Sequence, residues 1–249
     1  MSKEHGTPVD RVSLVEVGPR DGLQNEPRLL SLAQRLLLIN RLAESGLQRI
    51  EVGAFVSPKK VPQMADSAAL FNALPRRGPT RYAALVPNLQ GLQTAIAARA
   101  DEIGLFTACS DGFTRANIGI SVEESLVRFA PLVQEARRLG IKVRGYLSTV
   151  IACPFDGPTR PKRVAAMAER LLDLGCHEIS LGDTIGVGTP GTVAPMLDAV
   201  LHEIPAGRLA VHFHDTYGQG LANLLPALER GIRTIDCSVA GLGGCPYAP

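Results

Sequence analysis

The stretch LLDLGCHEISLGDTIGVG, residues 171–188, contains in order the three parts of one repeating unit. A helical segment ends at Gly175, an apolar run over 178–182 predicts a strand, and a polar glycine-rich loop follows. Gly175 stands where a helix needs a left-handed residue as its stop. The same unit recurs in AESGLQRIEV (43–52), ARRLGIKVRGY (136–146) and ALERGIRTIDCSV (227–239), with Gly46, Gly140 and Gly231 at the equivalent position.

This alternation predicts eight strands with seven helices between them. The predicted strands are 11–17, 49–54, 81–86, 102–107, 142–149, 178–182, 209–214 and 234–240. The clearest helices are 31–45 and 121–139, the second opened by a capping box of Ser121 and Glu124. Eight units in 249 residues average about 31 residues each, the size of a βα unit.

We therefore predict a (β/α)8 TIM barrel, class α/β, as one catalytic domain over 1–249, with an open doubly wound sheet as the alternative. Because the eighth strand lies close to Pro249, the helix that follows it in a complete barrel is expected to be missing from this chain.

Composition excludes several classes of protein. The chain is 45% hydrophobic, and 26 basic and 24 acidic residues give a formal net charge of +2, which does not indicate a nucleic-acid partner. No apolar run is long enough to span a membrane, and the segment MSKEHGTPVDR resembles no targeting signal, so we expect a cytoplasmic chain. The five cysteines lack metal-binding or disulfide-frame spacing.

The seventh predicted strand ends in a pair of histidines, within LAVHFHDTYGQG (209–220). Side chains alternate along a strand, so His212 and His214 point one way and Val211 and Phe213 the other. In a barrel, both imidazoles would face the interior at the carboxyl-terminal mouth, where active sites of this fold lie. The pair is consistent with a metal site, and equally with a hydrogen-bonded structural feature.

Other polar clusters stand at the same end of their strands: EVGPRDGLQNE, EVGAFVSPK, VRGYLS, SLGDTIGVG and SVAGLGGCPYAP. In a barrel these segments converge on one mouth, and gathering unpaired charge there is costly unless it serves a ligand. A carboxylate added to the two imidazoles would make a facial set for a divalent ion. Asp21 is our choice, since its Asp-Gly pair directly follows a strand; its alternative role is to cap that turn.

Six motifs together resemble the 3-hydroxy-3-methylglutaryl-CoA (HMG-CoA) lyase family, metal-dependent TIM-barrel enzymes related to isopropylmalate and homocitrate synthases. They are VGPRDGLQNE, EVGAFVSPKKVPQM, VRGYLS, SLGDTIGVGTPG, VHFHDTYGQGLAN and SVAGLGGCPYAP. The resemblance implies cleavage of HMG-CoA to acetyl-CoA and acetoacetate, a step of leucine degradation and ketone-body formation, with Mg2+ or Mn2+ as cofactor. It also implies a CoA thioester as the small-molecule partner and a homodimer. The balanced charge and the short apolar runs predict no nucleic-acid partner and no membrane.

By this resemblance the site residues receive roles. The expected metal ligands are Asp21, His212 and His214. The expected catalytic residues are Arg20, Asp21, Glu51, Asp183, His212 and Cys245, and those expected to bind substrate are Arg20, Gln24, Arg144 and Tyr146. The family pattern places a further asparagine ligand in a segment after the cysteine loop, which these residues do not include.

Two questions stay open at this point, the general base and the reaction. The general base is His212, Asp21 or Asp183. The reaction is the lyase cleavage or, as the alternative, the condensation of a related synthase, against which the Cys245 loop argues. A third alternative is a catalytically silent barrel with an exposed apolar seam.

Overall fold

The computed structural model describes residues 11–76 and 78–248. Residues 1–10, on which most of the expectation about a targeting signal rests, lie outside the described residues. The strands are β1 Ser13–Glu16, β2 Arg49–Ala54, β3 Arg81–Leu85, β4 Glu102–Ala108, β5 Lys142–Ser148, β6 Ala152–Cys153, β7 Gly157–Pro158, β8 Glu178–Asp183, β9 Leu209–Phe213 and β10 Thr234–Cys237. The helices are α1 Leu32–Glu44, α2 Ser67–Ala73, α3 Leu89–Ala97, α4 Asp111–Ile118, α5 Val122–Arg138, α6 Pro161–Leu174, α7 Pro190–Leu201 and α8 Gly220–Glu229.

Eight of the strands form a closed parallel barrel, in the order β1, β10, β9, β8, β5, β4, β3, β2. The barrel closes where β1 pairs on one side with β10 and on the other with β2. This confirms the predicted TIM barrel and excludes the open sheet. Every strand of the barrel therefore runs in the same direction, and the carboxyl ends of these eight strands meet at one mouth.

The predicted helix signals are confirmed where local chemistry is strong. The predicted capping box of Ser121 and Glu124 opens α5, and a second one, of Ser31 and Gln34, which was not predicted, opens α1. Gly175 adopts a positive φ of 118° at the end of α6, and Gly46, Gly140 and Gly231 also have positive φ.

Two elements were not predicted. Helix α4 lies between β4 and α5, and a short antiparallel hairpin, β6 with β7, lies between β5 and α6. Both are short, so neither carries enough hydrophobic periodicity for the sequence to reveal it.

The hydrophobic core fills the layer between strands and helices, whereas much of the barrel interior is polar. Ile50, Ile103 and Leu181 are fully buried in the outer layer. Inside the barrel, four charged side chains from the strands form ion pairs with one another. We call them the inner ion-pair network: Arg49, Glu102, Arg144 and Glu178. None of the described helices is long and apolar enough to cross a membrane.

The last strand is shorter than predicted. It ends at Cys237 instead of 240, and Ala240 has a φ of 56° within a 3-10 turn, Val239–Gly241, which is incompatible with a strand. Among the described residues no α-helix follows β10. Leu14 of β1 is 40% exposed, and Val12, just before that strand, is 45% exposed.

Candidate active site

Arg20 and Asp21 lie on a single π-helical turn, Gly18–Gly22, that directly follows β1. The Val17 carbonyl accepts hydrogen bonds from the amides of Arg20 and Asp21 at 3.1 and 2.7 Å, which closes the turn. Glycine is required at position 22, because a Cβ there would lie 2.7 Å from the Leu242 carbonyl oxygen. The turn brings a guanidinium and a carboxylate to the mouth of the barrel. Such turns are frequent at functional sites.

The two histidines of β9 lie beside that carboxylate. The Nε2 atoms of His212 and His214 are 3.2 Å apart, and Nε2 of His212 is 3.5 Å from Oδ2 of Asp21. One ligand atom from each of the three residues lies within 4.8 Å of the other two. The structure thus brings together the three residues that the sequence nominates as metal ligands.

The pKa values of the two imidazoles are shifted in opposite directions. Nδ1 of His212 lies 3.0 Å from Oδ2 of Asp236 on the neighbouring strand β10. Burial lowers the pKa of His212, but its hydrogen bond to Asp236 and the charges of Asp236 and Asp21 outweigh burial, so the pKa is raised. Burial and then the adjacent His212 lower the pKa of His214 to about 4. His214 is therefore neutral near pH 7, with a lone pair for a ligand.

This donor set fits a divalent cation. Burial opposes ionisation of Asp21, yet Arg20 and the two histidines outweigh it and lower the Asp21 pKa, so the carboxylate is ionised. One carboxylate and two imidazoles on one side of an ion leave positions for substrate and water. Asp21, His212 and His214 are thus the residues that would hold such an ion.

Arg20 is anchored by two carboxylates. Its Nε donates to Oε2 of Glu51 at 2.7 Å, and its Nη1 donates to Oδ1 of Asp21 at 2.5 Å. Burial opposes the charge on Arg20, but Asp21 and Glu51 outweigh it and raise its pKa. Its guanidinium carbon also lies 5.6 Å from the centroid of the Tyr146 ring. The charged group is held rigidly at the mouth, with the fully buried Glu51 behind it.

Cys245 reaches the same mouth on the loop after β10. The loop packs against the Asp21 turn so closely that a Cβ on Gly243 would lie 2.5 Å from the Gly22 Cα. Asn25 donates through Nδ2 to the Gly244 carbonyl at 2.7 Å. Burial raises the pKa of the Cys245 thiol, so it is protonated near neutral pH.

A cleft at the mouth collects most of the nominated residues. Seven of the ten line it: Arg20, Asp21, Gln24, Tyr146, His212, His214 and Cys245. Gly182 and Thr184, from β8 and the loop after it, also line the cleft, as do Phe106 and Phe113.

Comparison with known proteins identifies this arrangement. A family model described as HMGL-like matches residues 11–245. The chain belongs to the HMGL-like family. It is 53% identical over 243 residues to the mitochondrial hydroxymethylglutaryl-CoA lyase of Rattus norvegicus, with 98% of this chain and 75% of that protein covered.

Two solved structures extend the comparison. The HMG-CoA lyase of Brucella melitensis has a TM-score of 0.94 and 52% identity, over 96% of this chain and 85% of that one. The HMG-CoA lyase of Acinetobacter baumannii, solved with coenzyme A and 3-methylmalate, has a TM-score of 0.91 and 38% identity, over 96% and 78% of the two chains.

Three nominated residues do not line the cleft of this HMGL-like barrel: Glu51, Arg144 and Asp183. Glu51 lies behind Arg20. Arg144 is 1% exposed, and its guanidinium donates hydrogen bonds to Glu178, Asp236 and the Tyr146 hydroxyl. Its hydrogen bonds are thus directed into the barrel, and a role for Arg144 in binding substrate stays a prediction.

Asp183, at the end of β8, also faces away from the cleft. Its Oδ2 accepts the Gly188 amide at 2.8 Å, and burial raises its pKa despite the amides around it. Its Oδ1 is buried with no hydrogen-bond partner among the described residues. The carboxyl group orders the loop after β8, which lies beside the cleft.

The sequence did not reveal Asp236, which touches His212 from within the run TIDCSV. The available signal was alternation: a charged residue in an apolar strand, on the same face as Thr234, has to point into the barrel. The aromatic contact between Tyr247 and Phe113, with ring centroids 5.1 Å apart, was also missed. These two residues are more than a hundred positions apart, so no local pattern links them.

Proposed function

We propose that this chain, like its relatives named as HMG-CoA lyases, cleaves HMG-CoA, with acetyl-CoA and acetoacetate as products and a divalent cation, Mg2+ or Mn2+, as cofactor. The observation that carries the proposal is the convergence of a carboxylate, two imidazoles, a guanidinium and a thiol on one cleft. We call these residues the mouth cluster: Arg20, Asp21, His212, His214 and Cys245. The relatives support a lyase over a condensing synthase, since the matched proteins are named as lyases.

The cleavage is a retro-Claisen reaction. The tertiary hydroxyl of the substrate loses a proton, the bond between C2 and C3 of the acyl chain breaks, and acetyl-CoA forms first as its enolate. The electron pair of the broken bond then becomes the enolate carbanion, and the hydroxyl oxygen becomes the ketone of acetoacetate. A divalent ion in the site would act as a Lewis acid that makes the hydroxyl more acidic and fixes its orientation.

Arg20 stabilises the negative charge that develops on the thioester oxygen. Its charge is permanent, and its position is fixed by Glu51 through a 2.6 Å ion pair. A donor that is already oriented stabilises a developing enolate without reorganising during the reaction. In this proposal Tyr146 and Gln24, which line the cleft, contact the acyl group.

Cys245 supplies the proton that completes acetyl-CoA. Because its thiol pKa is raised, the group remains protonated near neutral pH and can protonate the enolate carbon. Water must be kept out while the enolate exists, and the loop of Cys245, held by Asn25 and by Tyr247 packed on Phe113, covers that side of the cleft.

The base that removes the hydroxyl proton belongs to the mouth cluster. Asp183 does not line the cleft, and both ring nitrogens of His212 are engaged, Nδ1 with Asp236 and Nε2 facing Asp21 and His214. Asp21 is the remaining candidate, and its ionised carboxylate lines the cleft.

The decisive experiment is a lyase assay with HMG-CoA on the purified chain, first with chelator and then with Mg2+ or Mn2+. Cys245→Ala and His212→Ala are expected to lose most of the metal-dependent turnover. Cys237→Ala is the matched control, because that thiol lies 3.6 Å from Glu16 and outside the cleft. Unchanged turnover in Cys245→Ala or His212→Ala would remove that residue from its role.

A parallel assay with acetyl-CoA and a 2-oxo acid tests the synthase alternative. Condensation without cleavage would overturn the proposal. The absence of both activities would favour the catalytically silent barrel. A role in leucine degradation, a cytoplasmic location and a homodimer stay predictions, of which sedimentation velocity tests the last.

A further inference from the structure

Asp236 lies beneath the cleft, on β10, where it touches a mouth residue and the inner ion-pair network at once. Its side chain is 1% exposed. Oδ2 lies 3.0 Å from Nδ1 of His212 and also accepts the Ser180 hydroxyl at 2.8 Å. Arg144 donates to both carboxylate oxygens, at 3.0 and 2.7 Å. Every one of these partners comes from a different strand of the barrel.

We propose that Asp236 is a positioning residue that holds the His212 ring with Nδ1 protonated and Nε2 facing Asp21 and His214. The inference deepens the proposed function, because it concerns how this chain prepares its cation site. Asp236 does not line the cleft, so it acts only through His212.

The chemistry of imidazole supplies the reason. A neutral ring carries one N–H and one lone pair, and which nitrogen carries which is set by the hydrogen bond that the other makes. An ionised carboxylate at Nδ1 keeps the proton there, because Asp236 can only accept. The lone pair is then on Nε2, the atom 3.2 Å from Nε2 of His214 and 3.5 Å from Oδ2 of Asp21.

Asp236 is itself held in place by its neighbours, so it can fix the orientation of the His212 imidazole. The two-pronged contact with Arg144 fixes the plane of the carboxylate. Arg144 is fixed in turn by Glu178, through Nε at 2.7 Å, and Glu178 by Arg49 at 2.9 Å. The chain of contacts leads from the amino-terminal end of the barrel to the His212 ring, with rigid strands at each step.

This arrangement also gives Arg144 and Ser180 a function that the sequence did not suggest. Both donate hydrogen bonds to the carboxylate of Asp236 and so hold it in place, a function that requires no contact with the substrate. Partners of a ligating histidine typically influence metal affinity by about 10- to 100-fold when they are removed.

The first test measures Mn2+ binding to the whole chain without substrate, by isothermal titration calorimetry. Asp236→Asn keeps the size of the side chain but cannot accept from Arg144 and His212 as a carboxylate does. We expect its Mn2+ affinity to fall by about 10- to 100-fold. Glu102→Gln is the matched control: that carboxylate is also buried inside the barrel and paired with an arginine, Arg49, but it touches neither Asp236 nor His212.

If Glu102→Gln retains wild-type Mn2+ affinity while Asp236→Asn loses it, the positioning role is supported. Wild-type affinity in Asp236→Asn, or equal losses of affinity in the two variants in proportion to their lost stability, would overturn it. Lyase turnover is measured separately: a chain that binds Mn2+ as expected but does not cleave HMG-CoA would refute the proposed function and leave this inference standing.

The second test uses the wild-type chain, so its result does not depend on whether a variant folds. Histidine-selective 15N labelling and long-range 1H–15N correlation spectra of the wild-type chain with Mg2+ report which ring nitrogen of His212 is protonated. We expect the Nδ1–H form. A ring protonated on Nε2 would overturn the inference even if every Asp236 variant proved insoluble.

Discussion

Two groups of charged side chains lie inside the same barrel, and they differ in how completely they satisfy one another. In the inner ion-pair network, Arg49 and Arg144 share Glu178, and Glu102 receives the remaining hydrogen bond of Arg49. Among the described residues, no side-chain polar atom of this network is buried without a partner.

The mouth cluster is arranged in the opposite way. His212 and His214 present their Nε2 atoms to each other at 3.2 Å, with the Asp21 carboxylate alongside. Behind this cluster, Glu51 Oε1 and Asp183 Oδ1 are buried and have no hydrogen-bond partner in the part of the chain that the structure describes. Charge that is saturated by its neighbours fixes the structure, whereas polar groups with capacity left over are available to a ligand. Changes at the mouth should therefore reduce activity, and changes in the network should reduce stability.

The largest expected effect lies at the mouth, in His214→Ala. Removing one of the three ligands should lower metal-dependent turnover by about 10³-fold or more, because a Lewis acid supplies several kcal/mol of charge stabilisation. The melting temperature should change little, since His214 is only partly buried. Steady-state kinetics with Mg2+ and a thermal melt of the same preparation provide the check. Substantial turnover in this variant would break the division between mouth and network.

The next effect is expected in Arg20→Lys. Lysine retains a positive charge but not the fork that reaches Glu51 and Asp21 together, so we expect turnover to fall by about 10²-fold. The loss should be in kcat, because the donor acts on charge that develops during the reaction. A change confined to KM would show that Arg20 binds substrate and does not stabilise the enolate.

Arg49→Met sharpens the comparison from the other side. It leaves two carboxylates of the network short of a partner and should cost roughly 2 kcal/mol of folding free energy. This is less than the about 3–5 kcal/mol of a fully buried pair, because the Arg49 side chain is 17% exposed. Urea denaturation measures the loss. Turnover per folded molecule should stay close to the wild-type level, because Arg144 keeps its own contacts with Glu178 and with both oxygens of Asp236. A strong loss of turnover would show that the network and the mouth are not separable.

The smallest expected effect is a pH dependence of folding stability that arises from Glu178 in the inner ion-pair network. Burial opposes ionisation of Glu178, but Arg144 and Arg49 outweigh it and lower its pKa from 4.5 to about 2. A lowered pKa in the folded state means that the stabilisation is complete above pH 4.5 and is lost as the pH falls toward 2.

Urea midpoints measured between pH 6 and pH 3 should therefore fall more steeply for the wild type than for Glu178→Gln. Glu123→Gln is the control, since its ion pair with Arg170 is exposed to solvent. Parallel curves for the wild type and Glu178→Gln would contradict the assignment of this acid sensitivity to Glu178.

Much of the fold could be predicted because its signals are local. Capping boxes at Ser31 and Ser121 and left-handed glycines such as Gly175 act within a few residues, so the sequence determined most helix ends and the order of strands. Alternation along β9 placed both histidines on one face, and the position of the polar motifs after each strand indicated a common mouth.

What the sequence could not determine depends on register across the barrel. Arg144 stands in a strand-end motif like the mouth residues, yet its partners are Glu178 on β8 and Asp236 on β10. The nearer of these partners is 34 positions away along the chain and the other 92. Which buried carboxylate meets which guanidinium follows only from how the strands are staggered when the barrel closes.

The sequence by itself thus determined the βα repeat, the barrel and the chemical identity of the mouth, because these rest on side-chain periodicity and backbone caps within single elements. The tertiary structure alone decided that Asp236 holds His212, that Arg144 points inward, and that the Cys245 loop rests on Gly22. Each of these is a contact between elements distant in the chain, where close packing and the pairing of buried charge select one arrangement.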